Sequence, residues 1–192
     1  MTVRANLLGA VLCGGRSSRM GRDKATLRNS HGIDFLTLAL ERLQVVCREV
    51  CVSASADRQT MARLIADPPH SFGPISGLSA VLSVASDEGF DGCLVNPVDT
   101  PNLTAEDLDG LITIHRKSPD HPVCALSGDG DERRLQPLIA IYPVSSLPSV
   151  RECVESEQYS LRRYLESSPF STLPLSSSSC HNINTPADIE SQ

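Results

Sequence analysis

Between Gly14 and Lys24 the chain places three glycines (Gly14, Gly15, Gly21) and four cations (Arg16, Arg19, Arg22, Lys24) within eleven positions. This stretch follows directly on the apolar run Leu7 to Leu12. Glycines let backbone N–H groups approach an anion closely, and the cations neutralise it. A buried strand leading into such a loop is the arrangement that binds phosphate groups. The chain carries fifteen Arg but only two Lys, and one of the two, Lys24, closes the loop. A compact ammonium on a flexible stem reaches phosphate oxygens as a point charge. A structural lysine on a first helical turn is the other reading of Lys24. Further along, Asp99 ends the apolar run that starts at Cys93, ahead of Thr100-Pro101. Asp67 precedes Pro68 and the turn Gly73-Pro74. Either carboxylate taken alone is equally an ordinary turn-forming Asp.

Positioning these groups falls to alternating strand-like and helix-like segments. Asn6 to Leu12 reads as the first strand. Phe35 to Cys47 reads as a helix with Leu36, Leu40, Leu43 and Cys47 on one face. Val50 to Ser53 is a short second strand, Gln59 to Leu64 a weak helix, and Leu64 to Ala66 a short strand. Pro74 opens a helix with an apolar face of Ile75, Leu78, Leu82 and Ala85. Cys93 to Val98 is a strand that Pro97 brings to its end. Thr104 caps the next helix, with Asp107 in a capping-box position and Leu108, Leu111, Ile112 and His115 as its core stripe. Val123 to Leu126 and Leu138 to Tyr142 are strands joined by the polar turn Ser127 to Arg134. Arg151 to Glu166 is mostly helical, Ser176 to Ser179 a loop, and Thr185-Pro186 with Asp188 a further capped start. This alternation predicts a single domain over residues 1–192, a Rossmann-like three-layer α/β/α fold with a mostly parallel sheet. Ligands of such sheets sit beyond the carboxyl ends of the strands, where the glycine loop and Asp99 both belong.

Composition narrows the partners. The 192 residues are 40% hydrophobic with a net charge of −6. An acidic chain with one basic loop suits a small anionic ligand and argues against a broad nucleic-acid surface. No window approaches the ~18 apolar residues of a membrane span. The seven cysteines form no C-x-x-C pair and are odd in number, which points to core thiols and a cytoplasmic location.

The loop lacks the spacing of a P-loop and of a dinucleotide-binding fingerprint. It resembles instead the signature L-x-G-G-x-S-x-R-M-G-x-D-K of the molybdenum cofactor guanylyltransferases (MobA-type), within the nucleotidyltransferase superfamily of nucleotide-diphospho-sugar transferase fold. Leu12 to Lys24 matches it nearly throughout. Paired Gly14-Gly15 is similar to the guanine-using branch. Three later segments follow in family order: Asp67 with Gly73-Pro74-Ile75-Ser76-Gly77, then Val98-Asp99-Thr100-Pro101, then Asn182-Ile183-Asn184-Thr185-Pro186.

The resemblance implies transfer of GMP from Mg²⁺·GTP to molybdopterin, with pyrophosphate leaving. It implies nucleotide contacts at Leu12, Cys13, Gly14, Gly15, Lys24, Ser53, Asp67 and Asp99. Arg19 and Lys24 would neutralise phosphates and the leaving group, and Asp99 would hold Mg²⁺. Asp67 would accept from the ring N–H and exocyclic amine of guanine. Arg133, Arg134, Asn182 and Asn184 are candidates for the acceptor, although a solvated turn and a helix cap account for them equally well. Cofactor-inserting or acceptor enzymes are the protein partners expected. Three positions depart from the family pattern: Ser53 where Asn is frequent, Gln136 before Pro137 where His-Pro is common, and Pro97-Val98 before Asp99. Molybdopterin cytidylyltransferase and sugar-phosphate nucleotidyltransferase are the rival activities. A nucleotide- or partner-binding protein without turnover is the rival of another class.

Overall fold

The computed structural model describes residues 3–13, 27–28, 32–68, 73–128 and 133–183. Of the residues singled out above, Gly14, Gly15, Arg19, Lys24, Asn184 and the Thr185–Asp188 cap lie outside them. Seven strands form one sheet in the order β3-β2-β1-β4-β6-β5-β7. They are β1 (Ala5–Leu12), β2 (Cys47–Ala54), β3 (Arg63–Ala66), β4 (Gly92–Val95), β5 (Val123–Ser127), β6 (Arg134–Pro143) and β7 (Ser171–Leu175). β1, β2, β3 and β4 run parallel, β6 is antiparallel to β4 and β5, and β7 is parallel to β5. The sheet is therefore mostly parallel, as expected, with one reversed strand.

The helices are α1 (Phe35–Val46), α2 (Pro74–Asp87), α3 (Ala105–His115), α4 (Leu147–Glu155) and α5 (Leu161–Glu166). Two apolar layers sandwich the sheet. On one face Leu8, Ala10, Cys51, Cys93 and Tyr142 pack with Ile75, Leu78 and Leu82 of α2, Val150 of α4 and Leu165 of α5. On the other, Leu7, Val11, Leu94 and Ile141 pack with Ala39 and Leu43 of α1 and Leu108, Leu111 and Ile112 of α3. The alternation of Leu7 with Leu8 and of Cys93 with Leu94 is the period-two pattern of a strand buried on both sides.

Local signals account for the helix starts. Thr104 and Asp107 form the reciprocal capping box, and all four residues of the expected stripe on α3 are buried. Pro74 occupies the first turn of α2 behind Gly73, whose φ of 71° is open to glycine at little cost. The four expected apolar positions of α2 are buried as well.

Several expectations are corrected. The buried face of α1 is Phe35, Ala39, Leu43 and Val46, with Leu36 and Leu40 only half-buried. Ala39 wins its place because a small residue lets α1 lie close to the sheet. Gln59 to Leu64 is not helical: it leads into β3, whose parallel pairing with β2 outweighs weak helix propensity. Arg151 to Glu166 is mostly helical as expected, but in two pieces, the end of α4 and the whole of α5, with Glu157 at φ 59° between them. β7 falls where no element was expected. Burial places Cys47, Cys51, Cys93, Cys124 and Cys180 in the interior, and all seven cysteines are free thiols. Desolvation pushes Cys47, Cys51 and Cys124 up to about 12, so they stay protonated at neutral pH.

Candidate active site

Parallel pairing brings the ends of β1, β2, β3 and β4 to one edge of the sheet. There Leu12 lies opposite Ser53, and Ser53 opposite Ile65. The chain then leaves the sheet under backbone control. The Cys13 amide donates to the Ser53 carbonyl at 2.7 Å, and the Asp67 amide donates to the Ala54 carbonyl at 2.7 Å. Cys13 and Asp67 are thus fixed one step beyond β1 and β3.

The Ser53 side chain is fully buried, and its hydroxyl donates to Asp67 Oδ1 at 2.5 Å. A buried hydroxyl needs such a partner, and a carboxylate acceptor makes the bond short and strong. The first turn of α2 closes against the pair. A Cβ placed on Gly77 would lie 2.7 Å from Ser53 Oγ, 3.2 Å from Asp67 Oδ1 and 3.7 Å from a Leu12 methyl. Leu12, Ser53, Asp67 and Gly77 therefore converge on one point, and only a residue without a side chain fits there. Asp67 itself is half-buried. Its second oxygen, Oδ2, is not the one that Ser53 engages. Sequence reading placed Gly77 inside a motif but gave it no role. The signal was the small residue three positions past Pro74, where a helix must pass close to a strand end.

Asp99 stands on the loop after β4, also half-buried. The loop begins at Asn96, whose amide donates to the Ala10 carbonyl at 3.0 Å and whose side-chain amide donates to the Ala39 carbonyl at 3.1 Å. The Ile183 amide donates to the Asp99 carbonyl at 2.8 Å. Ile183 is fully buried, so it anchors the C-terminal segment against this loop. Asn182, one residue before it, is exposed beside Asp99. Two residues read from distant parts of the sequence are thereby adjacent in space.

β6 enters at this same edge because it runs the other way. Val95 of β4 pairs with Ala140, so Arg134 to Ile139 extend beyond the end of β4. Arg133 and Arg134 are exposed at that projecting end, where Arg134 pairs with Ser127 of β5. Gln136 does not face outward: its side-chain amide donates to Ser127 Oγ at 2.7 Å and ties β6 to β5. The register shift between Cys124 and Ala125 of β5 lies opposite Pro137, a placement that suits a residue with no amide to give.

Among the described residues no cluster of three or more His, Cys, Asp or Glu could enclose a metal ion. The half-buried Asp99 carboxylate is the kind of oxygen donor that Mg²⁺ takes together with substrate phosphates and water. Among the described residues no helix is long and apolar enough to cross a membrane.

Residues 9–172 match the model of the MobA-like NTP transferase domain. A probable molybdenum cofactor guanylyltransferase from Rhodopirellula baltica is 44% identical over 191 residues, covering 95% of this chain and 90% of the relative. Among solved structures, molybdopterin-guanine dinucleotide biosynthesis protein A from Archaeoglobus fulgidus superposes with a TM-score of 0.75 at 22% identity over 96% of both chains. The 2-C-methyl-D-erythritol 4-phosphate cytidylyltransferase of Thermus thermophilus shares the fold with a TM-score of 0.70 at 12% identity over 94% of both chains. The chain belongs to the MobA-like NTP transferase family and is a nucleotidyltransferase of that type.

Proposed function

We propose that the chain transfers GMP from Mg²⁺·GTP to the terminal phosphate of molybdopterin, bare or carrying molybdenum, and releases pyrophosphate. The observation that carries this reading is that two carboxylates follow strand ends on the same sheet edge, Asp67 after β3 and Asp99 after β4. Asp67 is held by the Ser53 hydroxyl beside the side-chain-free Gly77, and Asp99 is on the loop after β4 at the same edge. The first carboxylate suits a base and the second a metal-bound phosphate. The 44% identical relative named as a guanylyltransferase supports guanine as the base.

In this reading an acceptor phosphate oxygen attacks the α-phosphorus of GTP. The new P–O bond forms as the bond from the α-phosphorus to the pyrophosphate oxygen breaks. Little covalent work falls to the protein, so positioning and charge neutralisation dominate. Leu12, Cys13, Gly14 and Gly15 present backbone and apolar contact to the nucleotide. Arg19 and Lys24 offset charge on the phosphates and on the departing pyrophosphate. Asp67 accepts from the guanine ring N–H and exocyclic amine, a donor pair that cytosine does not present. Asp99 would hold Mg²⁺, which supplies charge neutralisation at the phosphoryl oxygens. Arg133 and Arg134, exposed where β6 begins, and Asn182, next to the anchored Ile183, would bind the second substrate together with Asn184. Cofactor-inserting or acceptor enzymes are its partners for handing the product on.

Calorimetric titration with GTP, CTP and ATP in the presence of Mg²⁺ tests the base. Selective GTP binding that is lost in Asp67→Ala is the expected result. Preference for CTP would replace guanine by cytosine and leave the nucleotidyltransferase in place. Pyrophosphate release with GTP and molybdopterin tests turnover. Lys24→Ala and Asp99→Ala, both folded, should each lose on the order of 10³-fold in rate, as expected when an electrostatic group is removed from phosphoryl transfer. GTP binding without any release would favour a binding protein.

A further inference from the structure

We propose that Arg42 of α1 is a positioning residue for the Asp99 loop, holding that carboxylate where the reaction needs it; this rests on the role given to Asp99 above. Arg42 Nη1 donates to the carbonyls of Thr100 at 2.7 Å and Leu103 at 2.6 Å, with Pro101 at 3.3 Å. Its Nε donates to the Leu38 carbonyl at 3.1 Å, one turn back on its own helix, which fixes the plane of the guanidinium. One nitrogen thus gathers three carbonyls of the four-residue segment that follows Asp99. One turn earlier on the same helix, Ala39 receives the Asn96 side chain from the other end of the loop. With Ile183 bound to the Asp99 carbonyl, Asp99 is held before, after and at its own peptide.

Stability alone is a poor explanation for this residue. Among the described residues Arg42 makes no ion pair with a carboxylate, and its Nη2 has no hydrogen-bond partner. The Oδ1 of Asn96 and the Oγ1 of Thr100, on the loop it holds, are buried and unpartnered in the same way. A cation set among carbonyl dipoles carries a desolvation cost that a well-packed apolar side chain would avoid. Burial lowers the Arg42 guanidinium to about 10, so it is still charged at neutral pH. What an apolar side chain could not do is satisfy and orient carbonyls that belong to no helix or strand ladder. A site tolerates such a cost where geometry within about 0.5 Å matters to the chemistry.

The test uses the full chain with Arg42→Met and Arg42→Lys, the second standing in if the first does not fold. Three readouts are taken: amide hydrogen exchange over residues 96–104 and 180–183, GTP affinity by calorimetry, and the Mg²⁺ dependence of GMP transfer. In Arg42→Met we expect exchange over both segments to rise at least tenfold and kcat to fall at least tenfold. The Mg²⁺ concentration for half-maximal rate should rise about tenfold, while the Kd for GTP stays within threefold. Arg42→Lys should recover part of each loss, because an ammonium can reach some of the same carbonyls. Unchanged exchange overturns the proposal, since the loop is then held without Arg42. Faster exchange with wild-type kcat and Mg²⁺ dependence also overturns it, since the contact is then merely structural. Wild-type protein that shows no Mg²⁺-dependent transfer overturns the role of Asp99, and the positioning role with it, whatever the exchange data show.

Discussion

The two carboxylates of the site are held by different means. Asp67 is gripped through its side chain: Ser53 donates to Oδ1, and Gly77, by having no Cβ, leaves the room that this pair occupies. The Asp99 loop is gripped through its backbone, by Asn96, Arg42 and Ile183. Under the proposed function the difference follows from the two tasks. A base-reading carboxylate must present a fixed oxygen pattern, so its torsions need to be set before the ligand arrives. A carboxylate that meets Mg²⁺ and phosphates depends on where its peptide is held, which is what these backbone contacts fix.

The strongest way to break the first grip is Gly77→Ala. The added methyl would sit 2.7 Å from Ser53 Oγ, so the hydroxyl must turn away or α2 must lift. Overpacking of this kind costs about 1–3 kcal/mol, against a gain of up to about 1 kcal/mol in helix propensity. The expected outcome is a lower melting temperature together with GTP binding weakened about tenfold, or about 1.4 kcal/mol, within that range when the loss falls on Asp67. Adding Ser53→Ala removes the clashing oxygen and should restore most of the stability without restoring affinity. A double variant no more stable than Gly77→Ala would place the strain elsewhere.

How much of this was legible beforehand depends on range. Features set by neighbours in the chain were: the Thr104–Asp107 box, Pro74 at the start of α2, and the stripes on α2 and α3 all stand as read. So was the position of Asp99 at the carboxyl edge of the sheet, because alternation of strand and helix dictates that edge. Features decided by distant pairing were not. β7, with Pro174 inside it and alternating half-burial, becomes a strand only because β5 lies beside it. The reversal of β6, which carries Arg134 to the site edge, has no local marker. The Ser53–Asp67 bond and the Arg42 clamp span 14 and 58 residues or more, and no spacing rule connects them.

Ser53→Ala alone is the finer probe of the Asp67 grip. It removes one charge-assisted bond and leaves the packing of Gly77 intact. The net worth of such a bond is about 1.5–3 kcal/mol at most. Because Asp67 is only half-buried, water can replace part of the lost bond. We therefore expect a loss below that range, about 1–1.4 kcal/mol, read as GTP affinity reduced about fivefold to tenfold with kcat little changed. In an Asp67→Ala background the same substitution should change nothing further, since the partner it orients is gone. Additive losses would mean that Ser53 touches the nucleotide directly, as its family position implies.

The smallest effect expected guards the others against misreading. His115 ends α3, which starts at the loop carrying Asp99 and so finishes at the sheet's opposite edge. It is 6% exposed and its Nδ1 has no partner among the described residues. Burial lowers its pKa below 6.5, although Asp91 and Asp120 act in the raising direction. The unfolded chain therefore binds a proton on His115 at a higher pH than the folded chain does. Stability from this residue is complete above 6.5 and is lost as pH falls from 6.5 through the lower folded value. The wild-type melting temperature should decline over that window, and in His115→Leu the decline should be shallower. A site variant that loses activity only in that acid range would then be losing its fold at the far edge, with both carboxylate grips intact. An identical decline in His115→Leu would assign the acid sensitivity to other groups, and activity at low pH would then report on the site itself.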